Sequence, residues 1–232
     1  MRKKLLFIVT LCLFSCSEKK TLQKISSIEN PNFVLIFMDD LGYGDIMPFG
    51  SINYETPHIN KLAKEGMLFT NFYSVQAVCS ASRAALLTGC YSNRIGISGA
   101  LFPASTTGLN ENEITIAELL KEKGYATSIF GKWHLGFQEK FLPLNHGFDT
   151  FLGLPYSNDM WPVDFDGNQI SDTSNWRKKA YPQLPLIEDF KKIDEIRTLE
   201  DQAKLTTLYT EKSVEFINNN KDNPFFLYVP HS

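Results

Sequence analysis

A cysteine and an arginine four positions apart are the residues of this sequence best suited to chemistry. Cys79 and Arg83 belong to the run CSASR, residues 79–83, where a loop gives way to a helical pattern of small residues that stops at Gly89. A helix N-terminus attracts negative charge, and an arginine one turn later offers a forked donor that matches a tetrahedral oxyanion. The run therefore predicts a nucleophile aimed at an anion. A buried cysteine in a small-residue helix is the alternative that the run by itself leaves open.

Two adjacent carboxylates form a second candidate cluster. Asp39 and Asp40 follow the apolar run 33–38, which has the length of a buried strand, and the glycines at 42 and 44 let the backbone turn. In open α/β sheets ligands gather beyond the carboxyl ends of the strands, where adjacent carboxylates repel each other unless they share a cation. Oxygen ligands favour Ca²⁺ or Mg²⁺ over Zn²⁺. The pair predicts a metal site, with a solvated turn as the alternative.

A lysine and a histidine form the third cluster. Lys132 and His134 lie in GKWHLG, residues 131–136, directly after the strand-like run 125–130. If the strand continues, both side chains point to the same side, because side chains alternate with a period of two. They would combine a fixed cation with a group that titrates near neutral pH. A solvated loop is the alternative for such a pair. The pair therefore indicates a functional site only in combination with the other two clusters.

Apolar runs alternate with helical patterns along the chain, which predicts an α/β fold with a largely parallel sheet and helices on both faces. Thr56 and Pro57 open one helix as its N-cap and first residue, and Gly66 closes it. A polar stretch from 155 to 201 predicts a long excursion over the face that carries the site. Further elements are expected as strands at 67–72, 125–130 and 225–229 and as helices at 114–123 and 204–219.

Five motifs in a fixed order resemble those of the type I sulfatases, of the arylsulfatase A-like kind, in the alkaline-phosphatase superfamily. The resemblance runs from about Asn32 to the end of the chain. Its motifs are PNFVLIFMDD at 31–40, TPHINKLA at 56–63, the CSASR signature with LTG at 87–89, GKWHLG at 131–136 and FLGLPYSND at 151–159. It implies an alkaline-phosphatase-like α/β fold, in which helices sandwich a mixed, largely parallel sheet, and an enzyme that hydrolyses sulfate esters.

The resemblance implies a nucleophile and a metal site. Cys79 would be oxidised by a maturation enzyme to formylglycine, whose hydrated aldehyde attacks the sulfate. Asp39 and Asp40, with the modified residue 79, would bind one Ca²⁺ ion, and Mg²⁺ is the less favoured alternative. Arg83 would hold the modified side chain and the oxygens on the metal side.

Three further residues acquire roles near the sulfate through the resemblance. Lys132 would contact both the aldehyde hydrate and the sulfate, His134 would orient or deprotonate the hydrate, and Ser157 would bind substrate near the sulfate. The implied substrate is a sulfated glycan or an aryl sulfate. These roles suit the chemistry, because a sulfate ester repels an attacking oxyanion unless fixed cations surround the sulfuryl oxygens. A geminal diol can release its sulfate by reverting to the aldehyde, which divides the reaction into two easier steps.

One position departs from the usual family signature. Ala81 stands where the family commonly has proline, two residues after the cysteine. Members with alanine there resemble those matured by a radical-type, oxygen-independent enzyme. We therefore expect a maturation partner of that type, and a chain that keeps a thiol at position 79 should be nearly inert.

The N-terminus predicts export. Residues 2–4 are basic, residues 5–14 are apolar but too few to span a bilayer, and LFSC at 13–16 has the shape of a lipoprotein cleavage box. We expect residues 1–16 to be a bacterial lipoprotein signal peptide with Cys16 lipidated, followed by a polar tether at 17–30. The anchored protein would be periplasmic or attached to the outer membrane. A plain secretory signal with an incidental cysteine is the alternative.

Composition limits the function without deciding it. The 232 residues are 43% hydrophobic, enough for a substantial core, and a formal net charge of −3 gives no reason to expect nucleic acid as a partner. Cys79 and Cys90 remain in the domain, and the helix between them keeps them from pairing. The 18 phenylalanines suit a packed core or a carbohydrate-stacking cleft, of which the core is the commoner.

Residues 31–232 are expected to be the N-terminal part of a sulfatase catalytic domain, truncated before its C-terminal part. His231 is either a stand-in for a family histidine or its neighbour. Missing strands would expose a sheet edge and an apolar helix face and so lower the solubility. Two other functions stay open: a phosphomonoesterase or phosphodiesterase of the same superfamily, which would carry Ser or Thr at position 79, and a fragment that binds sulfated glycans through Arg83 and Lys132 without turnover.

Overall fold

Six strands form one mixed sheet within residues 30–232, the part of the chain that the structure, a computed structural model, describes. The strands are β1 (Phe33–Phe37), β2 (Ala126–Lys132), β3 (Thr150–Leu154), β4 (Leu184–Glu188), β5 (Lys191–Ile196) and β6 (Phe225–Pro230). Their order is β1-β6-β2-β3-β4-β5; the first four are parallel, and β4 and β5 join antiparallel. The predicted, largely parallel sheet is confirmed. The expected signal peptide with Cys16, and the tether up to residue 29, lie outside the described residues.

Five α-helices accompany the sheet in the described residues. They are α1 (Pro57–Glu65), α2 (Cys79–Thr88), α3 (Ile116–Lys121), α4 (Trp176–Ala180) and α5 (Leu199–Asn220). Short 3₁₀ turns lie at Tyr43–Asp45, Met47–Phe49, Ser92–Ile95, Glu139–Phe141 and Pro143–His146. Within the same residues, we find no helix that combines the length and the apolar character needed to cross a membrane.

The inner strand β6 contributes side chains to two separate hydrophobic cores, because side chains of a strand alternate between the faces of the sheet. Phe226 and Tyr228 belong to the core that also contains side chains of α2 and α3. Phe225, Leu227 and Val229 belong to the core that contains side chains of α5. Each fully buried side chain of this size stabilises the fold by roughly 1.5–3 kcal/mol. The predicted sandwich, with helices on both faces of the sheet, is therefore confirmed.

The predicted helices α1 and α2 have the expected ends, whereas the helices predicted at 114–123 and 204–219 begin elsewhere, and side-chain caps explain where they begin. Thr115 accepts the backbone N–H of Glu118, so α3 begins at Ile116 instead of 114. Thr198 caps α5 in the same reciprocal way, so this helix begins at Leu199, five residues earlier than the helix predicted from 204. The excursion predicted from 155 to 201 is partly regular, since it contains α4 and the hairpin of β4 and β5.

The strand predicted at 67–72 is wrong. The segment has no strand partner among the described residues, and Met67, Phe69 and Phe72 are 77%, 64% and 70% exposed. A run of apolar residues is the only signal for a strand there. An extended segment becomes a strand only when a neighbouring strand satisfies its backbone N–H and C=O groups.

Strand β1 lies at the edge of the sheet and is unusually exposed for an apolar strand. Phe33, Val34 and Ile36 are 43%, 47% and 58% exposed, and Leu62 on α1 is 68% exposed. Exposed apolar edges favour association between chains. The low solubility expected from the sequence stays a prediction, and this surface is its structural basis.

Two glycines let β2 and β3 approach each other and β6 closely. Gly131 pairs with Gly153, and a Cβ at Gly153 would lie 1.8 Å from the carbonyl oxygen of Gly131. We expect Gly153→Ala to lower the free energy of unfolding by about 3 kcal/mol, since backbone atoms cannot move aside as a flexible side chain would. Urea unfolding followed by tryptophan fluorescence measures the change.

The matched control for this substitution is Gly44→Ala, because a Cβ at Gly44 meets no atom within 4 Å. It should change the free energy of unfolding by no more than about 0.5 kcal/mol. Equal stability of the two variants would contradict the steric account.

Candidate active site

A cavity of about 650 Å³ opens beyond the carboxyl ends of the parallel strands. It collects most of the residues that the sequence singles out, since Asp39 and Asp40 follow β1, Lys132 ends β2 and Ser157 follows β3. Cys79 reaches the same cavity from the first position of α2. The location agrees with the general rule for ligand sites in open α/β sheets, and the size is typical of small-molecule sites.

Lys132 is the cation at the floor of this cavity. Its side chain is 1% exposed, and its Nζ donates a hydrogen bond to the carboxylate of Asp39. The same Nζ donates to Ser157 Oγ at 2.9 Å. A buried ammonium is tolerable only when it is paired and hydrogen-bonded, and these two partners provide that.

Arg83 lies beneath the cavity, fully buried, and binds backbone groups at the ends of two strands. Its Nη1 donates to the carbonyl of Lys132 at 2.6 Å, and its Nη2 donates to the carbonyl of His231 at 3.2 Å. The guanidinium is also 3.6 Å from the carboxylate of Asp39 and 5.2 Å from the centroid of the Phe37 ring. In this structure Arg83 connects β1, β2 and β6 and does not line the cavity.

Asp39 is held in its ionised form by its two cationic neighbours. Burial raises the pKa of Asp39, but the hydrogen bond and charge of Lys132 and the charge of Arg83 outweigh burial and leave the pKa below its ordinary value. At neutral pH the three groups therefore form a cluster of two cations around one carboxylate.

Asp40 turns the chain after β1 in a left-handed conformation, with φ of 53°. Aspartate is among the few residues that adopt this conformation readily. The turn leaves Asp40 on the wall of the cavity beside Asp39.

The carboxylates of Asp39 and Asp40 fit the metal expected from the sequence by donor type. Ca²⁺ binds six to eight oxygen atoms, and carboxylates are its usual protein ligands. The described residues contain no group of three or more His, Cys, Asp or Glu side chains placed to hold a metal ion. Two carboxylates are fewer ligands than such an ion needs.

Cys79 combines partial exposure with a helix N-terminus. The preceding residue, Val78, is extended and gives no side-chain cap, so the first N–H groups of α2 stay available beside the cavity. Both Cys79 and Cys90 are free thiols, consistent with the absence of a bridge that the sequence predicts. The position suits a residue that meets an anionic ligand.

His134 does not follow the strand geometry predicted for it. Strand β2 ends at Lys132, and His134 has a left-handed φ of 58°, so the period of two no longer applies. Its ring is fully buried and its Nε2 bonds to the carbonyl oxygen of Leu101 at 2.8 Å. Burial and the charge of Lys132 lower the pKa of His134 to about 4. The expected titration near neutral pH is therefore wrong, and neutral His134 donates to Leu101.

The structure adds a loop to the site that the sequence does not indicate. The Leu101 peptide is held from both sides, since its N–H donates to Ser80 Oγ at 3.0 Å while its carbonyl meets His134. Ala100 and Phe102, on either side of Leu101, line the cavity. Other lining residues that sequence reasoning missed are Asn158, Asp159, Met160 and Tyr181. Asn158 and Asp159 do lie within a quoted motif, whereas no local pattern marks Phe102 or Tyr181.

His231 contacts the site through its backbone. Its N–H donates to the carbonyl of Phe37 at 2.8 Å, and its own carbonyl accepts from Arg83. The ring lies 6.5 Å from that of Tyr209, away from the residues that line the cavity. In this structure His231 serves to join β6 to β1.

Fold and site together define an α/β protein with a charged cavity at the carboxyl edge of its sheet. A family model described as Sulfatase matches residues 31–231. The chain belongs to the sulfatase family.

Known proteins of this family are similar along most of the chain. Human N-acetylgalactosamine-6-sulfatase is 37% identical over 213 residues, which cover 85% of this chain and 38% of the relative. The crystal structure of the PsFucS1 sulfatase from Pseudoalteromonas sp. matches with a TM-score of 0.75 and 32% identity, over 87% of this chain and 44% of that one. The structure of Ps i-CgsB in complex with k-i-k-neocarrahexaose matches with a TM-score of 0.70 and 31% identity, over 88% and 45%. The chain thus spans less than half the length of these relatives.

His134 makes the stability of the fold depend on pH. Its folded pKa of about 4 lies below the ordinary value of 6.5, so its contribution is present above pH 6.5 and is lost as the pH falls toward 4. That difference corresponds to at most about 3 kcal/mol. Over this range we expect the free energy of unfolding in urea to fall further in the wild type than in His134→Gln.

The matched control for the pH experiment is His58→Gln, because His58 is exposed on α1. Its pH profile should follow that of the wild type. Parallel profiles for the wild type and His134→Gln would contradict the assignment of a buried, neutral histidine.

Proposed function

We propose that the protein containing this chain hydrolyses sulfate esters, with Cys79 as the precursor of the nucleophile. The observation that carries the proposal is that four separate stretches of sequence converge on one cavity. They contribute the Asp39–Asp40 pair, Cys79, Lys132 and Ser157. Membership of the sulfatase family supports the reaction class.

Position 79 fits a formylglycine. The residue is a partly exposed free cysteine at a helix N-terminus, so a maturation enzyme can reach it and an anionic substrate is attracted to it. Formylglycine supplies a hydrated aldehyde, with one hydroxyl to attack sulfur and a second to expel the sulfate afterwards. We propose the oxygen-independent type of maturation enzyme as the partner, because Ala81 stands in the signature.

Lys132 stabilises the charge that develops on the sulfuryl oxygens. Its Nζ is fixed before the substrate arrives, because Ser157 and Asp39 hold the side chain and Arg83 holds the backbone carbonyl. Preorganised cations of this kind act strongly in a partly desolvated site, since they need no reorientation during the reaction. Ser157 is thereby placed next to the same oxygens as a substrate contact.

Asp39 and Asp40 would hold the Ca²⁺ ion, with residue 79 beside it. The ion supplies Lewis-acid stabilisation of sulfate oxygens when bound. Arg83 fixes Asp39 from below, so its contribution to the site is to orient this carboxylate and the end of β2. Neutral His134 has an unprotonated Nδ1 with no hydrogen-bond partner among the described residues. This atom can accept a hydrogen bond from the hydrate and orient it, whereas a pKa of about 4 makes His134 a poor general base.

The substrate class we propose is a sulfated glycan. One similar structure is described as a complex with a carrageenan hexasaccharide, and the human relative is named for N-acetylgalactosamine 6-sulfate. The cavity offers room for a sugar unit, and Phe102 and Tyr181 give it aromatic walls. We further propose that lipidated Cys16 anchors the exported protein in the periplasm or at the outer membrane.

Two alternatives follow from specific observations. A phosphomonoesterase or phosphodiesterase of the superfamily would use Ser or Thr at position 79, and the cysteine found there argues against it. A chain that binds sulfated glycans without turnover is the second alternative, since Lys132 is held in the cavity whether or not Cys79 is modified. Hydrolysis of an aryl sulfate by the purified chain separates the second alternative from the proposal.

Cys79→Ala should abolish sulfate-ester turnover, because the proposed nucleophile is made from this cysteine and neither Ser80 nor Ser82 lines the cavity. Mass spectrometry of the peptide that contains residue 79 should show an aldehyde in protein from a host with the maturation enzyme. Cys90→Ala is the matched control, since Cys90 is the second free cysteine of the described chain and does not line this cavity. An active protein that retains a thiol at position 79 would refute the proposed nucleophile.

Asp39→Asn should weaken Ca²⁺ binding at least tenfold, about 1.4 kcal/mol, together with turnover, because the ion loses a charged ligand. Titration calorimetry and an aryl sulfate assay measure the two effects. Asp45→Asn is the control: outside the cavity, Asp45 Oδ2 accepts the N–H of Gly42 and Oδ1 accepts the hydroxyl of Tyr54. The amide oxygen can keep the first bond, and the amide NH₂ can donate to the Tyr54 oxygen. Unchanged Ca²⁺ affinity in Asp39→Asn would defeat the ligand assignment.

A further inference from the structure

One wall of the cavity comes from a segment that no sequence motif marks. Tyr181 follows α4 and lines the cavity together with Cys79, Lys132 and Ser157. It is neither buried nor fully exposed, so part of its ring meets the cavity and part is covered by protein.

The protein holds the Tyr181 ring in place from outside the cavity. The guanidinium of Arg177 lies 5.2 Å from the centroid of this ring, and Trp176 meets the ring edge-on at 5.8 Å. The backbone N–H of Tyr181 also donates to the carbonyl of Arg177 at 2.9 Å. A cation over an aromatic face is worth about 0.5–1 kcal/mol at exposed sites. The ring is therefore largely ordered before a ligand binds, which lowers the entropic cost of using it.

Arg177 ties this ring to the neighbouring part of the wall. Its Nε donates to the carbonyl of Val163 at 2.8 Å, and its Nη2 donates to the carbonyl of Asp159 at 2.6 Å. Asp159 and Met160 line the same cavity. One guanidinium thus sets the position of two lining segments, although Arg177 is not itself a lining residue.

We propose that Tyr181 stacks on a sugar ring of the glycan and that Arg177 is the residue that positions it. An aromatic face carries negative charge density that attracts the C–H groups of a pyranose, whereas the sulfate is bound by the charge cluster around Lys132. The choice of a sulfated glycan as ligand rests on the proposed function. The division of the cavity into a charged floor and an aromatic wall rests on the geometry alone.

The competing role for Tyr181 is packing, since its ring also adjoins the core next to α5. Stacking and packing make different predictions for different ligands. A stacking residue affects every oligosaccharide, sulfated or not, and leaves the binding of inorganic sulfate unchanged. Loss of a packing residue would weaken the binding of oligosaccharides and of inorganic sulfate alike, because the wall of the cavity would collapse.

The test measures binding of three kinds of probe to the purified chain by NMR titration. The probes are carrageenan and N-acetylgalactosamine 6-sulfate oligosaccharides, the same oligosaccharides after desulfation, and inorganic sulfate. Tyr181→Ala should weaken binding of the first two kinds about tenfold, the equivalent of 1.4 kcal/mol, and leave inorganic sulfate unchanged. Tyr181→Phe should bind all three like the wild type, because it keeps the aromatic face.

The matched control is Tyr91→Ala. Tyr91 also has an arginine over its ring, with the Arg94 guanidinium 5.8 Å from the ring centroid, but it is exposed and lies outside this cavity. Its loss should leave all three affinities unchanged.

Arg177 is tested through its coupling to Tyr181. Arg177→Ala should weaken oligosaccharide binding as Tyr181→Ala does, and the double variant should be no weaker than either single variant, because both remove the same contact. Additive losses would show that Arg177 acts independently, which overturns its positioning role.

The stacking proposal is overturned if the wild-type chain binds none of the oligosaccharides, or if Tyr181→Ala binds them as tightly as the wild type. It is also overturned if Tyr181→Ala weakens inorganic sulfate by the same factor. Its failure is distinct from failure of the proposed function. If Cys79 is never modified but desulfated oligosaccharides still bind in a Tyr181-dependent way, the proposed sulfatase activity is refuted and the stacking proposal stands.

Discussion

Two buried cations that share one carboxylate hold the active-site end of this protein together. Lys132, Arg83 and Asp39 belong to three different elements, β2, α2 and the end of β1. Moving each charge out of water costs several kcal/mol, so the groups are tolerable only while they remain in contact. A displacement of any of these elements would separate the charges, and the cluster therefore fixes the relative position of the parts that build the cavity.

The backbone around this cluster is shaped to allow it. Arg83 reaches the carbonyls of Lys132 and His231 because β2 and β6 are neighbours that end side by side. Their close approach continues at Gly131, where a Cβ would lie 2.0 Å from the carbonyl oxygen of Pro230. The left-handed turn at Asp40 then directs the chain away from β1, while Asp39 keeps its contacts with Lys132 and Arg83. Two glycines and one left-handed turn thus allow the charge cluster to form.

Charged groups and aromatic rings occupy different parts of the cavity. The charged floor is made by buried Lys132 at the end of β2 and by the half-buried Asp39 that follows β1. The walls come from the loop at Leu101 and from the segment after α4, which are fixed by single polar side chains, His134 and Arg177. The charged groups are thereby built into the core of the fold, while the aromatic wall is built from loops, the part of an enzyme fold that varies most.

Local signals in the sequence determined β1, β2 and β6, four of the five α-helices of the described residues and the identity of the charged residues, because apolar runs, helix caps and the acid pair after β1 depend on near neighbours in the chain. Strands β3, β4 and β5 were not predicted. Tertiary structure alone decided which groups meet: Arg83 bonds to carbonyls 49 and 148 residues away. It also gave His134 a left-handed backbone and a low pKa, left 67–72 without a strand partner, and brought Phe102 and Tyr181 to the cavity. These outcomes follow from the order of the strands and from burial, which no stretch of neighbouring residues encodes.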